Sequence, residues 1–120
     1  MNSYEIAKTA IRALDSKKAR DIEVIKADDL TILADYFIIA TGTSSTQVKA
    51  LADEVDFRLS EEGVQPNHIE GRTTSWIVLD YGSVIVHVFY GETRDFYSLE
   101  RLWSDGAKID INEFLQEKQD

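Results

Sequence analysis

Tyr36-Phe37-Ile38-Ile39-Ala40-Thr41-Gly42-Thr43-Ser44 is the stretch whose reading decides the fold. Its first five residues are continuously apolar, the pattern of a strand covered on both faces rather than one. Gly42 ends the run, and Ser44 with Gln47 three residues on has the spacing of a capping box, so a helix opens here. Val48, Leu51, Ala52, Val55 and Leu59 then recur at helical spacing as one apolar stripe. Gly63 and Pro66 supply the stop, and Asp53, Glu54, Asp56, Glu61 and Glu62 fall on the outer face.

Working outward, residues 4–14 place Ile6, Ala7, Ala10, Ile11 and Leu14 on one helical face, with Asn2 and Glu5 able to cap it. Residues 22–25 read as a short strand and residues 68–70 as a short extended piece. A hairpin follows: Trp76-Ile77-Val78-Leu79 and Val84-Ile85-Val86-His87-Val88-Phe89 flank Asp80-Tyr81-Gly82-Ser83, with Gly82 available for the positive φ of a tight turn. The spacing of Phe96, Leu99 and Trp103 predicts a helix over 93–103. In the tail, Asp110 and Glu113 carry the cap pattern of one more short helix. This order is that of an α/β protein: a single layered domain with a mixed sheet flanked by helices. A strand parallel to the 36–40 strand and reached through the long helix calls for a right-handed crossover.

Composition narrows the function. The chain has 120 residues, 43% hydrophobic and 29% charged, enough for one compact domain and one real core. There is no cysteine, which excludes disulfides and thiolate metal sites. The N-terminus lacks the basic and apolar regions of a signal peptide, and no apolar run approaches the length of a membrane span. The net charge is −9, with 22 acidic against 13 basic residues, which disfavours broad contact with nucleic acid and favours a basic protein partner. The same acidity also serves simple solubility.

Chemistry is poorly supported. Thr41-Gly42-Thr43-Ser44-Ser45 could turn backbone N–H groups toward a phosphate, yet a turn and a helix cap explain each residue, and neither a Walker lysine nor G-x-G-x-x-G is present. Two-metal phosphoryl transfer needs close carboxylates, but Glu70 and Asp80 are the nearest strand acids and no strand carries Asp-x-Asp. His68 and His87 lie far apart with no nucleophile paired to either, so a hydrogen-bonded structural histidine is the default reading. The aromatic set Trp76, Tyr81, Tyr97 and Trp103 is more suggestive. Tyr81 falls at the hairpin turn and Tyr97 off the Phe96–Leu99–Trp103 stripe, so both are expected to be exposed anchors for a protein partner, with an ordinary core rim as the other reading.

Several long blocks in one order carry a resemblance. The segments 34–44, Glu70-Gly71, 76–89 and Arg94-Asp95-Phe96-Tyr97-Ser98-Leu99-Glu100-Arg101-Leu102-Trp103 resemble the ribosomal silencing factor (iojap-like) family. The resemblance covers about residues 4–104, which gives a domain over 1–104 and a variable tail over 105–120. It implies a nucleotidyltransferase-like fold without catalytic carboxylates, no enzymatic activity, no cofactor and no metal. It implies a translational repressor that binds the large ribosomal subunit, chiefly ribosomal protein fourteen, and blocks joining of the small subunit when nutrients are limited. Direct nucleic-acid contact should be slight, and the free protein a homodimer. Carried over by position, the partner-binding residues are Trp76, Asp80, Tyr81, Arg94, Tyr97, Glu100 and Trp103. The chain opens directly on its first helix, so a bacterial cytoplasmic location is expected. A nucleotidyltransferase-like enzyme and a dimeric adaptor without a ribosomal role remain the alternatives.

Overall fold

The computed structural model describes residues 1–26, 34–71, 75–91 and 107–116. The elements are α1 (Ser3–Ser16), β1 (Arg20–Lys26), β2 (Tyr36–Gly42), α2 (Ser45–Glu61), β3 (His68–Glu70), β4 (Trp76–Asp80), β5 (Val84–Tyr90), β6 (Ala107–Ile109) and α3 (Asn112–Leu115). The strands form one six-stranded sheet in the order β3-β4-β5-β2-β1-β6. Only β2 and β5 run parallel; every other neighbouring pair is antiparallel, so the sheet is mixed as expected.

β2 lies between β5 and β1, and Phe37, Ile38, Ile39 and Ala40 are all buried, as its continuous apolar run requires. Strand alternation divides the core in two. Val24, Ile38, Ala40, Ile77, Leu79, Val84, Val86 and Val88 meet the apolar stripes of α1 and α2. On the opposite face Ile25, Phe37, Ile39 and Phe89 cluster with Ala34, and Trp76 and Ile85 pack against them. The helix expected over 93–103 falls outside the described residues.

Local chemistry sets the boundaries. Asn2 and Glu5 form a complete capping box at α1. Gly82 takes φ +82° in the β4–β5 turn, where the Asp80 carboxylate accepts the Gly82 N–H at 2.8 Å. Residues 107–116, read from sequence as part of a tail with a short helix, also add an edge strand beside β1. Phe114 of α3 is fully buried, its ring stacked 5.0 Å from Tyr4. Arg12 donates from Nε to the Phe114 carbonyl at 2.9 Å and from Nη2 to that of Gln116 at 2.8 Å, tying the chain's end to its first helix. No helix among the described residues is long and apolar enough to cross a membrane.

Candidate partner-binding face

The Thr41–Ser45 turn is the one phosphate-like position that the sequence offers. At the start of α2, Ser44 Oγ accepts the Gln47 N–H at 3.1 Å. The Gln47 side chain does not reach back to the cap residue as a capping box would have it. Its Oε1 accepts the Thr43 N–H at 2.5 Å and the Thr43 hydroxyl at 2.8 Å, and its Nε2 donates to the Lys17 carbonyl at 3.2 Å. Three of the donors that a phosphate could use, the Thr43 N–H and hydroxyl and the Gln47 N–H, are thus engaged by the chain itself. Gly42 answers to packing: a Cβ there would come within 2.9 Å of Val48 Cγ2 and 3.1 Å of the Val48 nitrogen. Among the described residues no group of three His, Cys, Asp or Glu is placed to hold a metal ion.

Of the expected docking residues, Trp76 and Asp80 lie on the side of the sheet opposite α1 and α2, at its β3–β4 end. Along β4, Trp76, Val78 and Asp80 are part-buried on this side, while Ile77 and Leu79 are buried on the other. Register places His68 opposite Asp80 and Glu70 opposite Val78 on β3, and His87 opposite Val78 and Phe89 opposite Trp76 on β5. His68 Nε2 lies 3.5 Å from Glu70 Oε1 and 3.7 Å from Asp80 Oδ2. A groove of about 270 Å³ runs between Glu70, Gly71, Trp76 and Val78. It is smaller than the ~300–1,000 Å³ of ordinary small-molecule pockets. The face is therefore an apolar shelf with carboxylates at its margin.

Trp76 is held from beneath. Its ring stacks on Phe89 at 5.0 Å, and its indole Nε1–H donates to His87 Nδ1 at 3.2 Å. That bond requires the neutral His87 ring to carry its proton on Nε2. His87 is 7% exposed, and burial lowers its pKa to about 4, so the ring stays neutral at ordinary pH.

Tyr81 corrects one expectation. It is 8% exposed and belongs to the helix-side core, with its hydroxyl 3.4 Å from Asp56 Oδ1 on α2. The period of two explains why: after Ile77 and Leu79, the next residue in phase is Tyr81, so it turns under α2 and away from Trp76. Its position next to the turn does not make it an exposed anchor. Asp80 does lie on the Trp76 side, with part of its carboxylate spent on the turn. Arg94, Tyr97, Glu100 and Trp103 fall outside the described residues. The sequence reading overlooked Val78, Glu70 and His87 as neighbours of Trp76, and His68 as a neighbour of Asp80. Val78 was available from alternation along β4, but the others depend on the register of β3 and β5.

Fold and face together define a small single-domain α/β protein whose candidate surface is a shelf. The family model for "ribosomal silencing factor during starvation" matches residues 1–120. The ribosomal silencing factor RsfS of Bacillus subtilis (strain 168) is 39% identical over 113 residues, covering 93% of this chain and 96% of that one. The Arabidopsis thaliana protein named Iojap-related, mitochondrial is 31% identical over 98 residues, covering 78% of this chain and 53% of that one. A crystal structure from Chromobacterium violaceum superposes with a TM-score of 0.85 at 42% identity over 92% of both chains. The chain belongs to the ribosomal silencing factor family.

Proposed function

We propose that the protein represses translation by binding the large ribosomal subunit through ribosomal protein fourteen and excluding the small subunit, under nutrient limitation. Membership of the silencing factor family supports the ribosomal part of this reading, and the relatives carry names of silencing factors rather than of enzymes. The observation that carries the docking part is Trp76, a large part-buried ring on an apolar shelf flanked by Glu70 and Asp80. Tryptophan is the residue type most enriched among interface anchors. The net charge of −9 adds attraction toward a basic ribosomal protein. Arg94, Tyr97, Glu100 and Trp103 complete the proposed contact set with Trp76 and Asp80.

No chemistry is needed. A standard interface takes about 800 Å² from each partner, a small share of the 6824 Å² surface here. A body of 39 × 31 × 27 Å on the joining face holds two subunits apart sterically. The protein acts in the cytoplasm, where it meets free subunits, and is a homodimer before it does so. Sucrose-gradient sedimentation with purified subunits tests the reading. The protein should travel with the large subunit and deplete joined ribosomes. If it stays at the top of the gradient and joining is unchanged, the reading is wrong.

A further inference from the structure

β5 is apolar on both faces except at His87, which lies in its middle and is 7% exposed. A buried imidazole in such a strand is costly unless its polar atoms are used. One use is visible: His87 Nδ1 accepts the Trp76 indole N–H at 3.2 Å, with ring centroids 6.0 Å apart and tilted by 34°. Phe89 stacks on the same indole at 5.0 Å and 25°. Trp76 is therefore gripped twice, across its face and at its single donor. Stacking alone lets a ring slide or flip; a hydrogen bond at the edge selects one orientation.

We propose that His87 is a positioning residue for docking: from beneath the sheet surface it fixes the Trp76 indole in the orientation a protein partner meets. This rests on the ribosome-binding reading above. His87 is too buried to present a surface of its own, so it acts through Trp76. Its neutral state, maintained by desolvation, keeps the Nδ1 lone pair available. Ordering a side chain before association removes part of the entropic cost of ordering it on binding.

The test uses the full chain with purified large subunits, at matched folded concentration. His87→Phe keeps a ring but has no acceptor; His87→Asn keeps an acceptor near the Nδ1 position. We expect His87→Phe to weaken subunit binding about tenfold, and His87→Asn to recover most of that loss. In a Trp76→Phe background, where no indole remains to be oriented, His87→Phe should add little. By NMR, the wild-type Trp76 indole N–H, assigned by its absence in Trp76→Phe, should exchange slowly with solvent and lose that protection in His87→Phe. Wild-type binding with a folded, equally tight His87→Phe overturns the inference alone. An equal loss in the Trp76→Phe background overturns it too, because His87 then acts otherwise. If both His87 variants unfold, the wild-type indole decides: slow exchange supports the inference and fast exchange overturns it. Wild type that does not bind the subunit refutes the ribosomal reading itself.

Discussion

Trp76 and Tyr81 lie close together in sequence and should answer alanine substitution in opposite ways. Trp76→Ala strips the shelf of its largest ring, so subunit binding should weaken by about 2 kcal/mol or more, near thirtyfold, in a sedimentation or surface-binding titration. Tyr81→Ala hollows the helix-side core, and a denaturant melt should show a loss of about 3–5 kcal/mol. Tyr81→Phe gives up the long 3.4 Å contact with Asp56 while keeping the ring, and should cost about 1 kcal/mol. A Tyr81→Ala protein as stable as wild type would contradict the core placement. His87 adds a pH signature. Its pKa is lowered from 6.5 to about 4 in the folded protein, so between these values the unfolded chain binds the proton more readily. The contribution is complete above pH 6.5 and is lost as pH falls toward 4, at about 3 kcal/mol in all. Subtracting the stability profile of His87→Phe removes the carboxylate titrations common to both; a flat difference over that window would exclude a neutral buried His87.

At the scale of elements, much was legible where period and capping agreed. The two-sided apolar run of β2, the stripe of α2 and the Asp80–Gly82 turn each followed from local residue order. What failed was phase and long-range pairing. Tyr81 looked free because it adjoins a turn, although counting by two from Ile77 places it with the core. β6 was invisible, since Ala107-Lys108-Ile109 has no strand pattern of its own and is a strand only because β1 offers an open edge. The Glu70–Trp76–His87 neighbourhood needed the register of three strands, which no local signal carries. The start of α2 was half legible: the Ser44 cap was, but the turn of Gln47 toward Lys17 was not. Gly42→Ala tests that junction. With Val48 atoms at 2.9 and 3.1 Å from the added Cβ, the helix must shift, at about 1–3 kcal/mol in a thermal or denaturant melt. Stability equal to wild type would mean that Val48 yields freely.

For the molecule as a whole, the two faces of the sheet have different fates. Among the described residues α1 and α2 cover one side, and the only strongly exposed large ring is Phe57 on α2, at 59%. Phe57→Ser should leave subunit binding unchanged while Trp76→Ala abolishes most of it; the reverse result would move the docking face to the helices. Binding should also weaken, without vanishing, as salt rises. Exposed charges are screened beyond a Debye length of about 8 Å at physiological ionic strength, whereas buried apolar contact is not. An affinity indifferent to salt would remove the −9 charge from recognition.

The stacking of Tyr4 on Phe114 bears on how the protein comes into being. The first helix relies for part of its packing on a ring near the chain's other end, and Arg12 waits for the carbonyls of Phe114 and Gln116. Synthesis delivers the N-terminal segment first. While residues 114–116 are still inside the exit tunnel of the ribosome making them, α1 can form but cannot close against α3. The contacts of α1 with Phe114 and Gln116 therefore form only after those residues have left the tunnel.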